Sequence, residues 1–369
     1  MNKKILSIVI IILLAAFAII RGNYSQTNDI ATQKMTVKIG VTLPLTGDIS
    51  VLGQDNKNAI MLAYERLGET KYNYELIFED DQFKPSVGAS TVNKLISIDG
   101  VSAVISFGSP VGNVVSSITE KSKVPHVNDF ASDPHVADGE YNFVHYTPSY
   151  EDSRVFVAEL EKRGIKKLVF FGQSDNPGVV AIIDAFEKDI KNSDIQVLST
   201  QKFNTGTRDF RTMISKVKDL NLDIYVLEAS TPELETLTKQ LRDAGIKTPV
   251  TSMEAFEFSD QLSLFEGMWY VNAADPEQWF VDLFKNKYGS IPRFGSANGY
   301  DSFNLIVQAI EKSGDGKTIP SGEQIKNSLA GIKGFDGALG KGLNIDGNGI
   351  VVSKPVVRVI QNGVPVTLK

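Results

Sequence analysis

Short apolar runs alternate with longer amphipathic windows over most of this chain. The β-branched or aromatic runs lie at Thr36–Leu43, Tyr74–Glu79, Val101–Phe107, Val124–Asn128, Lys167–Phe171, Ile195–Thr200, Ile224–Leu227 and Met268–Asn272. Between most of them, windows of helical period occur at Gln54–Leu67, Pro85–Ser97, Gly112–Ser122, Ser153–Arg163, Val179–Lys191, Phe210–Leu220 and Pro232–Ala244. Strand and helix in strict alternation predict an α/β fold with mostly parallel sheets covered on both faces. Gly164 and Gly245 stand where helices end, and Pro85 and Pro232 where first-turn prolines belong. Two further helices are expected at Glu277–Tyr288 and Ala297–Ser313 and a shorter one at Gly322–Leu329. The tail Phe335–Lys369, with glycine turns and a Val/Ile run at Ile350–Ile360, reads as antiparallel strand additions. No repeat of fixed short period and no low-complexity tract interrupts the pattern.

The segment Lys38–Gly53 carries the most information. A buried strand runs into a small-residue loop and then into an amphipathic helix, so backbone amides and a helix N-terminus are expected at the carboxyl end of a strand. Open α/β sheets bind small ligands there.

The amino-terminal pattern is different. Lys3 and Lys4 precede Ile5–Ile20, an apolar run with Ser7 as its one polar residue, which is the layout of an export signal. Ala16-Phe17-Ala18 offers a cleavage pattern, but the run continues to Ile20, so residues 1–22 read as a cleaved signal or a retained anchor. Asn23–Lys34 is polar and aperiodic, and residues 23–35 are a tether. The chain contains no cysteine, which removes a lipid anchor, disulfides, thiolate metal sites and cysteine nucleophiles. About 335 residues remain after the tether, enough for two cores. Without Lys3, Lys4 and Arg21 the formal charge moves from -6 to about -9, and no long basic run is left to meet phosphates, which argues against nucleic acid as a partner.

Several features appear in order along the chain: Ile39-Gly40-Val41 with Pro44-Leu45-Thr46-Gly47 and Gly53; Asp80-Asp81 before Pro85; Val104-Ile105-Ser106-Phe107-Gly108-Ser109; Val124-Pro125-His126; Ala131-Ser132-Asp133-Pro134; Gly206 with Asp209-Phe210; Leu241–Gly245; and Gly299-Tyr300-Asp301. Each is weak alone. As an ordered set they resemble the branched-chain amino acid (Leu/Ile/Val) type of periplasmic solute-binding protein of ABC importers. The resemblance implies two Rossmann-like lobes joined by three crossings, with lobe 1 at residues 36–150 plus 278–336 and lobe 2 at 151–277 plus 341–369. The crossings, and hence the hinge, are then expected near Tyr150-Glu151, Asp275–Gln278 and Asp336–Lys341. It also implies an exported, monomeric receptor that works with an ABC permease and needs no cofactor. A ligand-sensing module that signals to a partner protein is the alternative, because the same fold serves both purposes.

An amino acid buried between lobes needs hydroxyls and amides for its carboxylate and a carboxylate for its ammonium. In the resembled family, the positions of Ser109 and Ser132 grip the carboxylate, with the backbone of Phe130 and Ala131 contributing; the same serines could instead cap helices. Glu254, after the strand-like Pro249–Ser252, aligns with the acid that takes the ammonium, although Glu257 and Asp260 are close by. Asp301 is a second candidate acid or a helix cap. Ser230 and Pro177 stand where aromatic residues are common in relatives, and Phe130 and Phe256 are the candidate replacements, or core residues. A preference for branched aliphatic side chains therefore does not follow, and a small polar amino acid, an amide or another carboxylate fits equally.

Catalytic patterns are missing from the sequence. His126, His135 and His145 show no zinc spacing, with His126 read as structural, and neither a G-x-S-x-G elbow nor a phosphate loop occurs. Asn344–Gly349 starts like a calcium loop, but Pro355 stands where its glutamate would be, so a hairpin turn is expected.

Overall fold

A computed structural model describes residues 34–368; the export-like segment and nearly all of the tether lie outside the described residues. The first sheet contains β1 (Thr36–Leu43), β2 (Asn73–Asp80), β3 (Ala103–Ser106), β4 (His126–Asn128) and β5 (Asn142–Val144) in the order β2-β1-β3-β4-β5, all parallel. Helices α1 (Ser50–Glu65), α2 (Pro85–Ser97) and α3 (Ser109–Ser122) make the crossovers. Val37, Ile39, Val41 and Leu43 of β1 are fully buried, as a central strand covered by helices requires. The order reverses between β1 and β3, which opens a crevice at their carboxyl ends.

The second lobe repeats the scheme. After α4 (Ser149–Lys162), strands β6 (Lys167–Gln173), β7 (Gln196–Phe203), β8 (Ile224–Glu228) and β9 (Val250–Thr251) form a parallel sheet in the order β7-β6-β8-β9, with helices α5 (Pro177–Asp189), α6 (Arg211–Val217) and α7 (Glu233–Asp243). Strand β10 (Trp269–Asn272) extends this sheet through hydrogen bonds from Val271 N to Ser252 O (3.1 Å) and from Glu254 N to Val271 O (2.7 Å). The chain then returns to the first lobe as α8 (Gln278–Tyr288), α9 (Ser296–Ser313), α10 (Gly322–Ala330) and the small hairpin β11 (Phe335–Gly337) and β12 (Gly340–Leu343). It finishes in the second lobe with β13 (Val356–Gln361), antiparallel to β10, and β14 (Val364–Thr367), antiparallel to β13. Asn362 and Gly363 turn that hairpin with φ of 54° and 71°, the left-handed pair that a two-residue turn needs.

Hydrophobic contacts follow this division. One core gathers Ile39, Val41, Phe107, Phe280, Phe303, Ile306 and Ile350; two others, on opposite faces of the second sheet, gather Phe171, Phe210 and Leu237, and Phe156, Phe186 and Trp269.

Three expectations need correction. The third crossing does not fall near Asp336–Lys341. Val144 N donates to Gly349 O (3.0 Å) and Val351 N to Val144 O (2.8 Å), so Ile350 lies beside β5. Ile345, Ile350 and Val351 are buried in the first core, so residues 341–351 belong to lobe 1 and the chain crosses after Val351. The Ile350–Ile360 run is accordingly not one strand. Pro355, which has no N–H to give a ladder, separates the bridge at Ile350–Val351 from β13. Pro232 precedes the first residue of α7 at the cap position rather than occupying the first turn.

Asp346 accepts from Asn348 N and Ile350 N (2.8 and 2.9 Å), which makes Asn344–Gly349 a closed turn. No group of three or more potential metal ligands occurs among the described residues.

Candidate functional site

The loop after β3 sets the first wall of the cleft. Gly108 has φ of +76°, and a Cβ there would lie 2.4 Å from the Phe83 ring, so the chain turns at this point only with glycine. The turn places Ser109 as the first residue of α3, buried, with its Oγ accepting from Asp133 N at 3.2 Å. The acidic pair holds the neighbouring loop. Asp80 accepts from Leu45 N (2.9 Å), Thr46 N (3.2 Å) and Thr46 Oγ1 (2.5 Å), and Asp81 accepts from Thr42 Oγ1 (3.0 Å) and Phe83 N (2.8 Å).

The loop after β4 brings Phe130, Ala131 and Ser132. Phe130 stacks on Phe107 at 4.2 Å and meets Tyr146, Phe258 and Phe294, an aromatic group to which both lobes contribute. Ser132 Oγ donates to Glu254 Oε2 at 2.7 Å, a buried hydrogen bond from lobe 1 to lobe 2.

Glu254 follows the sheet extension directly. Its φ of +73° is unusual for a residue with a side chain, and backbone contacts to both neighbours hold it: its N–H donates to Val271 O and its carbonyl accepts from Glu257 N at 3.3 Å. Below the turn, Arg358 of β13 pairs with Glu257 and Asp275, and Glu257 also takes the Tyr270 hydroxyl at 2.7 Å. An ion pair under the floor therefore fixes the turn that aims Glu254.

Ser109, Phe130, Ser132, Ser230 and Glu254 line one interlobe cavity of ≈ 40 Å³, together with Phe83, Asn176, Gly178, Glu228 and Phe258. Ser230 Oγ accepts from Asn176 Nδ2 at 3.1 Å. Ala131 lies in the first core. Asp301 is not in the cleft. Fully buried, it accepts from Ala338 N (2.6 Å) and Leu339 N (3.1 Å) and meets His145 Nε2 (3.1 Å), so it ties α9 to the segment that follows β11. Phe256 is core, stacked on Phe265 at 4.1 Å, and Phe258 two residues later supplies the lobe 2 aromatic. His126 is also structural, with its ring held by Ser106 Oγ (2.7 Å) and Asn142 Oδ1 (3.1 Å) and its pKa lowered by burial to about 4.

Sequence reading missed two acids beside Glu254. Asp152 of α4 is buried against the Glu254 carboxyl, and Glu228, the last residue of β8, is buried with Met253 N donating to Oε1. Asp152 sits on the inward face of an amphipathic helix and Glu228 ends an otherwise apolar strand; a charge at a core position of the pattern was the signal available.

Burial pushes Glu254 up to about 7, with the Ser132 hydrogen bond opposing. Burial, with Glu254 adding, raises Asp152 and the Tyr146 hydroxyl well above their usual values, and Glu228 rises from burial and the nearby Glu254 charge. The native protein thus holds a proton at Glu254 between about pH 4.5 and 7 that the unfolded chain has released. Stability then falls as pH rises through that window. The ligand-free protein is expected to melt at a lower temperature at pH 7.5 than at pH 5.5, and Glu254→Gln, facing the same Asp152, Tyr146, Glu228 and Glu257, should flatten the slope. Melting curves across pH check this.

Gly178, in the first turn of α5, faces α3 across the cleft. An added Cβ would lie 2.9 Å from Ser109 Oγ and 3.3 Å from Ser109 Cβ, while its backbone accepts any residue. Gly178→Ala is therefore expected to fold normally but resist closure. Titration should show ligand affinity lowered about threefold to tenfold, with an unchanged melting temperature for the ligand-free protein.

Comparison with known proteins places this geometry. The periplasmic binding protein family profile matches residues 36–362. The leucine-, isoleucine-, valine-, threonine- and alanine-binding protein of Pseudomonas aeruginosa is 24% identical over 354 residues, covering 88% of this chain and 91% of that protein. Among solved structures, a leucine binding protein from Thermotoga maritima superposes with a TM-score of 0.82 at 25% identity, over 90% of this chain and 98% of that one. A solute binding protein from R. palustris, in complex with benzoate, gives 0.79 at 17% identity, over 90% and 95%. Two α/β lobes around a cleft lined from both sides, and a family match over nearly all the described residues, lead to one conclusion: this chain belongs to the periplasmic binding protein family.

Proposed function

We propose that the protein is a non-enzymatic, extracytoplasmic receptor of an ABC-type importer that captures a small amino-acid-like ligand by hinge closure. The Ser132–Glu254 hydrogen bond carries this reading. It joins a donor suited to a ligand carboxylate with an acceptor suited to a ligand ammonium, so a zwitterion entering between them satisfies both and adds charge-assisted bonds. The leucine- and isoleucine-binding relatives support an amino acid, and the benzoate complex shows that the same fold accommodates a different carboxylate.

Lobe 1 binds first, through Ser109, Ser132 and the amides of the two loops. The lobes then close about the crossings near Tyr150-Glu151, Asp275–Gln278 and residues 352–355, bringing Glu254 over the ligand. The ligand stabilises closure by contacts that exist only there. The permease then reads the closed form.

A thermal-shift screen of the purified protein against amino acids, amides and short carboxylates tests the assignment, because a ligand that binds only the folded state raises its melting temperature. Stabilisation by α-amino acids supports it, and stabilisation only by compounds lacking an ammonium overturns it. In the double variant Ser109→Ala, Ser132→Ala, affinity for carboxylate-bearing ligands is expected to fall at least tenfold, measured by calorimetry. Unchanged affinity would leave the serines with only their hydrogen bonds to Asp133 N and Glu254.

A further inference from the structure

The cleft holds more carboxyl groups than one ammonium can use. Glu228 and Glu254 both line it, and Asp152 lies behind Glu254; no Lys, Arg or His is among the lining residues. All three acids are buried, and the carboxyl of Glu254 is met by Ser132, Asp152 and the Tyr146 hydroxyl, none of them a cation. Among the described residues the partner of Glu228 is Met253 N, at Oε1 alone. Burial keeps protons on these carboxyls while no cation is near, and an ammonium entering the cavity favours their charged form, so two carboxyls around one cavity fit a ligand that carries two positive charges.

The positions of these groups differ in a useful way. Glu254 faces Ser132 and the amides of lobe 1, where an α-ammonium and α-carboxylate belong. Glu228 ends a central strand of the second sheet, and the cavity between it and α5 is walled by Val179 and Ile182, which suit methylene groups. Glu228 and Glu254 line the same cavity as that wall, so a side chain running along it from an α-carbon held at Glu254 would meet Glu228.

We propose that the ligand is an amino acid with a short cationic side chain, its α-ammonium on Glu254 and its terminal ammonium on Glu228. This rests on the amino-acid receptor reading above and narrows it. Asp152 is buried behind Glu254 and is not among the residues that line the cavity. The aromatic group around Phe130 lines the same cavity.

Paired ligands test the charge directly. L-Ornithine and L-norleucine differ by a terminal ammonium against a methyl group, as do L-2,4-diaminobutyrate and L-norvaline. With the full chain at pH 7.5, calorimetry is expected to show the cationic member of at least one pair binding tenfold or more tightly than its neutral isostere. In Glu228→Gln that preference should shrink to less than threefold. Equal or inverted affinities in the wild-type protein, or no binding by any of the four, overturn this proposal, while the amino-acid reading stands or falls with the thermal-shift screen. A preference that survives in Glu228→Gln removes Glu228 from the role; if that variant does not fold, the wild-type pairs decide alone.

Discussion

Glu254→Gln is expected to weaken binding of an amine-bearing ligand by tenfold to a hundredfold. The amide keeps the shape and the hydrogen bond from Ser132 but removes the charge that faces the ammonium, and hydrogen bonds to charged groups contribute about 1.5–3 kcal/mol. Folding should not suffer. The carboxylate is buried, sits beside Asp152 and is held partly protonated at neutral pH, so a neutral side chain relieves rather than adds cost. Calorimetry with the wild-type ligand and a melting curve of the ligand-free variant separate the two effects. Unchanged affinity would remove Glu254 from the ammonium site. A large loss of melting temperature would mean that the charge stabilises the turn, in conflict with the Val271 and Glu257 backbone contacts that hold it.

Arg358→Met is expected to cost about 3–5 kcal/mol of folding stability, because removing one partner of a buried ion pair strands the other. Arg358 and Glu257 expose 8% and 9% of their side chains, and Asp275, which also accepts from Thr367 Oγ1, completes the group. Burial opposes the guanidinium charge, but the two carboxylates more than offset it and raise its pKa. The methionine retains most of the volume, so the loss reads the charge. Arg358→Met combined with Glu257→Gln should recover part of the stability by removing the stranded carboxylate. Urea unfolding of the three proteins measures both steps, and a single variant as stable as wild type would show that the network is neutral. Because Glu257 lies three residues from Glu254 in the same turn, the single variant should also weaken ligand binding.

Much of the architecture was written in the chain. The period-two and period-3.6 runs placed the strands and helices that alternate, since burial on a pleated or helical face forces that spacing. Pro85–Ser97 and Thr36–Leu43 match their elements residue for residue, the first opened by its proline and the second bounded by the Pro44 loop. Strand β5 escaped notice because three residues, Asn142–Val144, carry no period of their own; pairing with β4 and with the bridge at Ile350 makes it a strand. The order of motifs singled out the strand-end serines and Glu254, which the structure brings to one cavity, but left Asp301 open: its acid could serve a ligand or the chain, and only the two amides arriving from Ala338 and Leu339 decided it.

The sequence by itself determined the alternation of strand and helix, the two blocks, the glycine at the mouth of α3 and the absence of thiol chemistry, because each depends on local sterics, periodicity or composition. Only the tertiary structure decided that Ser132 meets Glu254, that Asp152 and Glu228 gather around the same charge, that Phe258 rather than Phe256 faces the cleft and that the last crossing lies beyond Val351. Those facts join residues as far apart as Val144 and Val351. Which distant groups share a low-dielectric space depends on how sheets and lobes pack, and no local pattern in the chain encodes it.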